Sequence, residues 1–165
     1  MIAYHHDHYW EPDWHDTPRW KQDWAHACVD AGANMYVSHG VPLLHGIEIY
    51  KQRPIFYGLG SFIFHTRTKL GHYEPSVWES VIAQCQFRNG TLTALRLDPV
   101  ALNEAGDEGA DFLATRGRPR LATGEQARAV MERLRSISTP YGTVLEIGAG
   151  YAEIKVSRGA PAPAA

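Results

Sequence analysis

Nine histidines stand out in this 165-residue chain, and seven fall within its first 45 residues: His5, His6, His8, His15, His26, His39 and His45. The same stretch holds six carboxylates (Asp7, Glu11, Asp13, Asp16, Asp23 and Asp30) against two cations, Arg19 and Lys21. Imidazole and carboxylate crowded together are what a hard or borderline divalent cation selects. The densest run is Tyr4-His5-His6-Asp7-His8-Tyr9-Trp10. In an extended chain, side chains alternate between two faces. His6 and His8 therefore share one face, and His5 and Asp7 share the other. A strand ending here can present one imidazole to a metal while its neighbours meet substrate. His8 is the candidate proton donor, since a near-neutral imidazole can give or take a proton.

A second group is Ser38-His39-Gly40-Val41-Pro42-Leu43-Leu44-His45-Gly46. His39 follows a short apolar run, where α/β proteins gather ligands beyond the carboxyl ends of strands. Glycine after it permits close backbone approach. Ser38, Gly40, His45 and Trp10 are the candidate substrate contacts. Trp14 is a candidate pocket wall, and Trp20 and Trp24, four apart on a helix, are expected in the core. Gly58-Leu59-Gly60-Ser61-Phe62 lacks the Gly-x-Ser-x-Gly of a nucleophile elbow and the Lys-Ser/Thr end of a phosphate loop, and reads as a sharp turn.

The elements that position these residues follow from local pattern. Residues 1–6 read as a strand and 7–16 as a loop. Thr17-Pro18 reads as a cap followed by proline at the first helical position, opening a helix over about 18–31 that stops at Gly32. Trp20, Trp24, Ala27, Cys28 and Ala31 supply its helical spacing. Asn34–Val37 is a buried strand. Residues 46–50 and 54–58 form a hairpin across Lys51-Gln52-Arg53. Residues 79–88 and 91–98 form another across Asn89-Gly90, a strong two-residue turn signal. Residues 99–120 read as irregular. Thr123–Ser138 is a helix with an apolar stripe of Ala127, Val130, Met131, Leu134 and Ile137. Residues 143–147 and 152–156 close the chain as a hairpin. The fold class is mixed α/β, with about seven short strands and two main helices. The low-complexity tail 159–165 is expected to be disordered, leaving 1–158 as one structural unit.

Composition narrows the function classes. Sixteen Lys and Arg against eighteen Asp and Glu give a formal charge of −2, which excludes nucleic-acid coating by phosphate neutralisation. No apolar run approaches the ~20 residues of a membrane helix, and no signal peptide is visible at the start. Cys28 and Cys85 form no disulfide framework and read as reduced, half-buried thiols.

Several segments, in this order, resemble the CapA family of bacterial capsule or poly-γ-glutamate synthesis proteins. They are Ala31-Gly32-Ala33, Ser38-His39-Gly40, Gly46-Ile47-Glu48-Ile49-Tyr50 and the run Arg53-Pro54-Ile55-Phe56-Tyr57-Gly58-Leu59-Gly60-Ser61-Phe62-Ile63-Phe64. Pro119-Arg120-Leu121-Ala122 and Tyr141-Gly142-Thr143 extend the likeness. The resemblance implies a calcineurin-like metallophosphoesterase fold, a β-sandwich flanked by helices around a dinuclear metal site. By it, His5 or His6 matches the family's isolated histidine ligand. His39 matches the first histidine of its Gly-His-x-x-His loop. Ser38 stands where that loop has glycine, and Pro42 where it has the second histidine. The family's front-half carboxylate loops have no match, so the chain resembles the C-terminal part of such a domain with an incomplete site.

The implied cofactor is a divalent metal ion, with Mn, Zn, Fe, Mg and Ca equally compatible. The implied partners are the missing N-terminal half of the domain and an anionic polymer or phosphoester substrate, with no nucleic acid and no membrane span. The implied setting is the cell envelope. The expected activity is that of a metal-dependent phosphoesterase-type hydrolase in the full-length form. A non-catalytic binding module and an inactive truncated fragment are the alternatives. Exposed sheet edges would make the isolated chain prone to aggregation.

Overall fold

In a computed structural model, residues 1–8, 13–109 and 111–156 are described. The first sheet runs in the order β1-β2-β4-β3, with β1 Ile2–His6, β2 Met35–His39, β3 Ile47–Tyr50 and β4 Arg53–Phe56. β1, β2 and β4 are parallel, and β3 returns antiparallel to β4. The β3–β4 turn is tighter than its sequence suggests. Lys51 and Gln52, with φ of 48° and 61°, make a two-residue turn of the left-handed kind that matches strand twist.

Between β1 and β2 lies helix α1, Arg19–Asp30. Its N-cap is Pro18 rather than Thr17, and no side chain caps it. Gly32, at φ +102°, ends it, donating to the Val29 carbonyl, and Ala33 N–H reaches back to Cys28. α1 buries Lys21, Ala25 and Val29, spaced i, i+4, i+8. Ala25 and Val29 pack on Tyr36, Ile55 and Tyr57 of the sheet and its edge. The expectation that Trp20 and Trp24 lie in the core is therefore corrected: they are 42% and 54% exposed. The helix is rotated by about one residue's angle from the face the tryptophan spacing suggests. Burial follows the small residues, which let α1 sit close to the sheet.

The second sheet contains β5 Glu79–Arg88, β6 Thr91–Leu102, β7 Pro119–Leu121, β8 Leu145–Ile147 and β9 Ala152–Ile154, in the order β5-β6-β9-β8 with β7 on the far end of β6. Asn89 and Gly90, at φ of 49° and 73°, form the expected turn. The expectation of irregular structure over 99–120 is corrected. β6 continues through Pro99 to Leu102, a one-turn helix α2 spans Phe112–Thr115, and β7 pairs back onto Val100–Leu102. Pro99 marks a stop in sequence. Its carbonyl accepts from Ala122 N–H at 2.8 Å, so the chain stays within the sheet region.

Helix α3, Gly124–Ser138, buries Ala127, Val130, Met131 and Leu134 as its stripe predicts. Val130, Met131 and Leu134 join Ile47 and Phe56 of the first sheet and Val81, Leu92, Leu95, Leu97, Leu145 and Ile154 of the second in one core cluster. The mixed α/β class holds, with nine strands rather than seven and a short third helix among the described residues. Cys28 and Cys85 are free and half-buried, and burial pushes the Cys85 thiol up to about 11. No helix among the described residues is long and apolar enough to cross a membrane.

β1 is an edge strand, hydrogen-bonded to β2 on one side. Ile2 and Tyr4 on one of its faces are 60% and 66% exposed. Parallel sheets ordinarily have both faces covered, so this edge stands apart from the rest of the molecule.

Candidate functional site

The parallel pairing of β1 and β2 sets the site. Their register matches Tyr4 with Val37, His5 with Ser38 and His6 with His39. Matched residues in neighbouring strands share a face, so the two strand ends place His6 and His39 side by side. Their rings stack at 4.3 Å between centroids and 25° between planes. Tyr4 lies against the same His39 ring at 4.8 Å. Past the end of β1, His8 turns back so that its Nε2 is 2.9 Å from His6 Nε2. His39 Nε2 is buried and has no hydrogen-bond partner among the described residues.

Two imidazole nitrogens at 2.9 Å either share one proton or aim both lone pairs at a common cation. The donors are of the type a borderline divalent metal takes, and an orphaned buried ring nitrogen beside them is what a missing ligand partner leaves. In number they are a partial set. Among the described residues, no group of three or more His, Cys, Asp or Glu is spaced to hold a metal ion.

His5 lies on the opposite face, as alternation predicts. Its Nδ1 is 2.9 Å from Tyr36 Oη, and its ring meets the edge of Trp20 at 5.8 Å. It is thus separated from the His6–His39 stack by the sheet itself. Asp7 shares the His5 side. Its Oδ2 takes the Lys21 ammonium at 2.9 Å and accepts from Ser38 Oγ at 3.0 Å. Lys21 is 2% exposed. The Asp7 backbone N–H also donates to His39 carbonyl oxygen at 3.0 Å.

These contacts locate the expected substrate contacts. Ser38 is fully buried and committed to Asp7. Gly40, at φ +130°, is needed for the protein's own packing. A Cβ there would fall 1.7 Å from the Asp7 carbonyl oxygen. His45 is buried and donates Nε2–H to the Trp14 carbonyl at 2.9 Å. Burial pushes its pKa below the ordinary imidazole value. Trp14 packs against the cluster of Val41, Leu43 and Val77. Trp10 lies outside the described residues.

Two arrangements escape a reading of the sequence. Lys21 is one; its place in the Lys21-Ala25-Val29 stripe is the signal that finds it. The other joins His26 of α1 to Glu48 of β3, with Nε2 2.9 and 3.0 Å from the two carboxylate oxygens. Tyr57 Oη donates to the same carboxylate at 2.5 Å, and Tyr50 stacks on the His26 ring at 4.0 Å. This group ties α1 to the β3–β4 hairpin and lies apart from the His6–His39 stack.

Residues 2–66, which contain both histidine-bearing strand ends, match the family described as bacterial capsule synthesis protein PGA_cap. The uncharacterized protein y4sH of Sinorhizobium fredii (strain NBRC 101917 / NGR234) is 35% identical over 181 residues, covering 86% of this chain and 38% of that protein. The capsule biosynthesis protein CapA of Bacillus anthracis is 38% identical over 100 residues, 58% of this chain and 21% of that one. The PGA biosynthesis protein CapA of Bacillus subtilis (strain 168) is 30% identical over 101 residues, 59% of this chain and 24% of that one. The chain thus spans well under half the length of each of these relatives.

Proposed function

The chain belongs to the CapA family of bacterial capsule synthesis proteins, and from that premise we propose that His6 and His39 are ligands to a divalent cation in a phosphoesterase-type hydrolase acting in exopolymer assembly at the cell envelope. The observation that carries this reading is the buried Nε2 of His39, without a hydrogen-bond partner among the described residues, beside the converging Nε2 atoms of His6 and His8. When bound, such a cation supplies Lewis acidity and lowers the pKa of a bound water. The chain's own residues do the rest. His8 stands next to His6 as a proton donor or phosphate contact. Asp7, held by Lys21 and Ser38, fixes the strand ends. His5 is assigned to the opposite face, outside the ligand set.

The same reading needs further donors, because three imidazoles do not complete a two-metal clamp. The open edge of β1, with Ile2 and Tyr4 exposed, is the place for them. A strand added there extends the parallel sheet and brings its own carboxyl end beside His6. Its source is the share of the relatives' length that this chain does not span. The substrate class is a phosphoester or an anionic polymer.

Metal content after dialysis against Mn²⁺, Zn²⁺ or Co²⁺ tests the reading. His39→Ala and His6→Ala are expected to lose bound metal, while His5→Ala keeps it. Unchanged metal content in His39→Ala rejects the ligand role. A second reading, a binding module without turnover, is favoured by the lack of a three-donor group among the described residues. Polymer binding that persists in chelator, in wild type and His39→Ala alike, selects that reading.

A further inference from the structure

We infer that Lys21 is the positioning residue of the histidine cluster: its buried ammonium, by holding Asp7, sets the distance and angle between the two strand ends that carry His6, His8 and His39. The inference rests on the cation-ligand reading above and deepens it. Lys21 is 2% exposed and its Nζ is 2.9 Å from Asp7 Oδ2. A charge that deep persists only when paired. Its partner occupies a special position. Asp7 lies between His6 and His8 in the chain, and the oxygen that meets Lys21 also accepts from Ser38, the residue before His39. One carboxylate oxygen therefore joins both imidazole-bearing turns to the first turn of α1. The backbone bond from Asp7 N–H to His39 carbonyl oxygen, and Gly40 packed on the Asp7 carbonyl, lock the same junction.

The arrangement resembles in logic the outer partners that orient metal ligands, with one difference. The charge acts through the backbone between the ligands rather than through a ring N–H. Removing the ammonium leaves Asp7 buried beside Ser38 without its counter-charge. The carboxylate then turns toward water, and the His6–His8 pair turns with it.

The test uses the full chain with Co²⁺ as probe, followed by its visible absorption, and ring ¹⁵N shifts of the histidines without metal. His6→Ala and His39→Ala establish whether the cluster binds. Lys21→Met removes the charge at similar length, and Lys21→Met/Asp7→Asn neutralises both partners so that a folded variant is available. The expected result is a Co²⁺ affinity lowered about 10–100-fold in both, with moved ring shifts of His6 and His8. The double variant should regain much of the stability lost by the single one without regaining affinity, which a merely structural role would not produce. If the histidine variants weaken Co²⁺ binding and the Lys21 variants stay within twofold of wild type, the inference is overturned and the ligand reading stands. If the histidine variants bind as wild type, the ligand reading falls. The metal-free ring shifts then decide: unchanged shifts in Lys21→Met overturn the positioning role, and moved shifts support it.

Discussion

His45 is 2% exposed, donates Nε2–H to the Trp14 carbonyl, and has no hydrogen-bond partner at Nδ1 among the described residues. A second proton would have to enter at that buried Nδ1. Burial is the main cause that holds its pKa down, and the nearby Lys21 ammonium adds to it; the backbone of Trp14 and of Tyr57 and the Asp7 carboxylate oppose it. The unfolded chain binds a proton at about pH 6.5. A folded-state pKa below that value means the unfolded state takes up protons first. The stability is complete above pH 6.5 and is lost as the pH falls. With the ring neutral in the fold throughout, the loss from pH 7.5 to 5.5 is at most about 1.4 kcal/mol. In urea that moves the midpoint down by between about 0.5 and 1.4 M. The assay is urea unfolding at pH 7.5, 6.5 and 5.5 for wild type and His45→Gln, whose amide can keep a donor near the Trp14 carbonyl. The two proteins share every other ionisable group, so the difference between the two pH slopes isolates His45. The variant should be less stable at pH 7.5 and should lose less on acidification. Equal slopes in the two proteins would refute the reasoning.

Two further substitutions probe the strand junction and the His26 group. Gly40→Ala places a methyl 1.7 Å from the Asp7 carbonyl oxygen at a φ of +130°. It should cost well over ~1 kcal/mol, seen as a large fall in Tm, and should weaken Co²⁺ binding because β1 and β2 must separate at their ends. Tyr57→Phe removes the hydroxyl that donates to Glu48 while leaving the buried ring. A loss of about 1.5–3 kcal/mol is expected for a bond to a charged group, with Co²⁺ affinity unchanged since the group lies apart from the histidine stack. A Tyr57→Phe protein as stable as wild type would show that Glu48 is satisfied by His26 alone.

Much of this architecture is written in short-range pattern. Asn89-Gly90 and the Lys51 turn are local, since a two-residue turn needs left-handed backbone and little else. The split of His6 from His5 follows from the period of two in a strand, which no tertiary contact alters. The face of α1 was harder to read. Tryptophan spacing points to one side of the helix, whereas close packing on a sheet selects Ala25 and Val29 and draws Lys21 in with them. Trp20 and Trp24 stay outside because β1 is an edge and nothing among the described residues broadens the sheet beneath them. The continuation of β6 was hidden by Pro99, a residue that stops strands in general but is tolerated where its missing N–H is not needed. The commitments of Ser38, Gly40 and His45 to the protein's own packing depend on contacts across 31 or more residues for Ser38 and His45. No local pattern carries that information.

His6 and Asp7 are consecutive residues with opposite duties, one facing the imidazole stack and the other the ammonium of α1. The strand thus works as a two-sided ruler, and its frame is fixed by a single step. An insertion or deletion of one residue within Ile2–His6 would leave composition almost untouched yet exchange the two sides. A carboxylate would then stand among the rings, and an imidazole would face a buried cation. Length variation among kindred chains should accordingly not be tolerated ahead of Asp7.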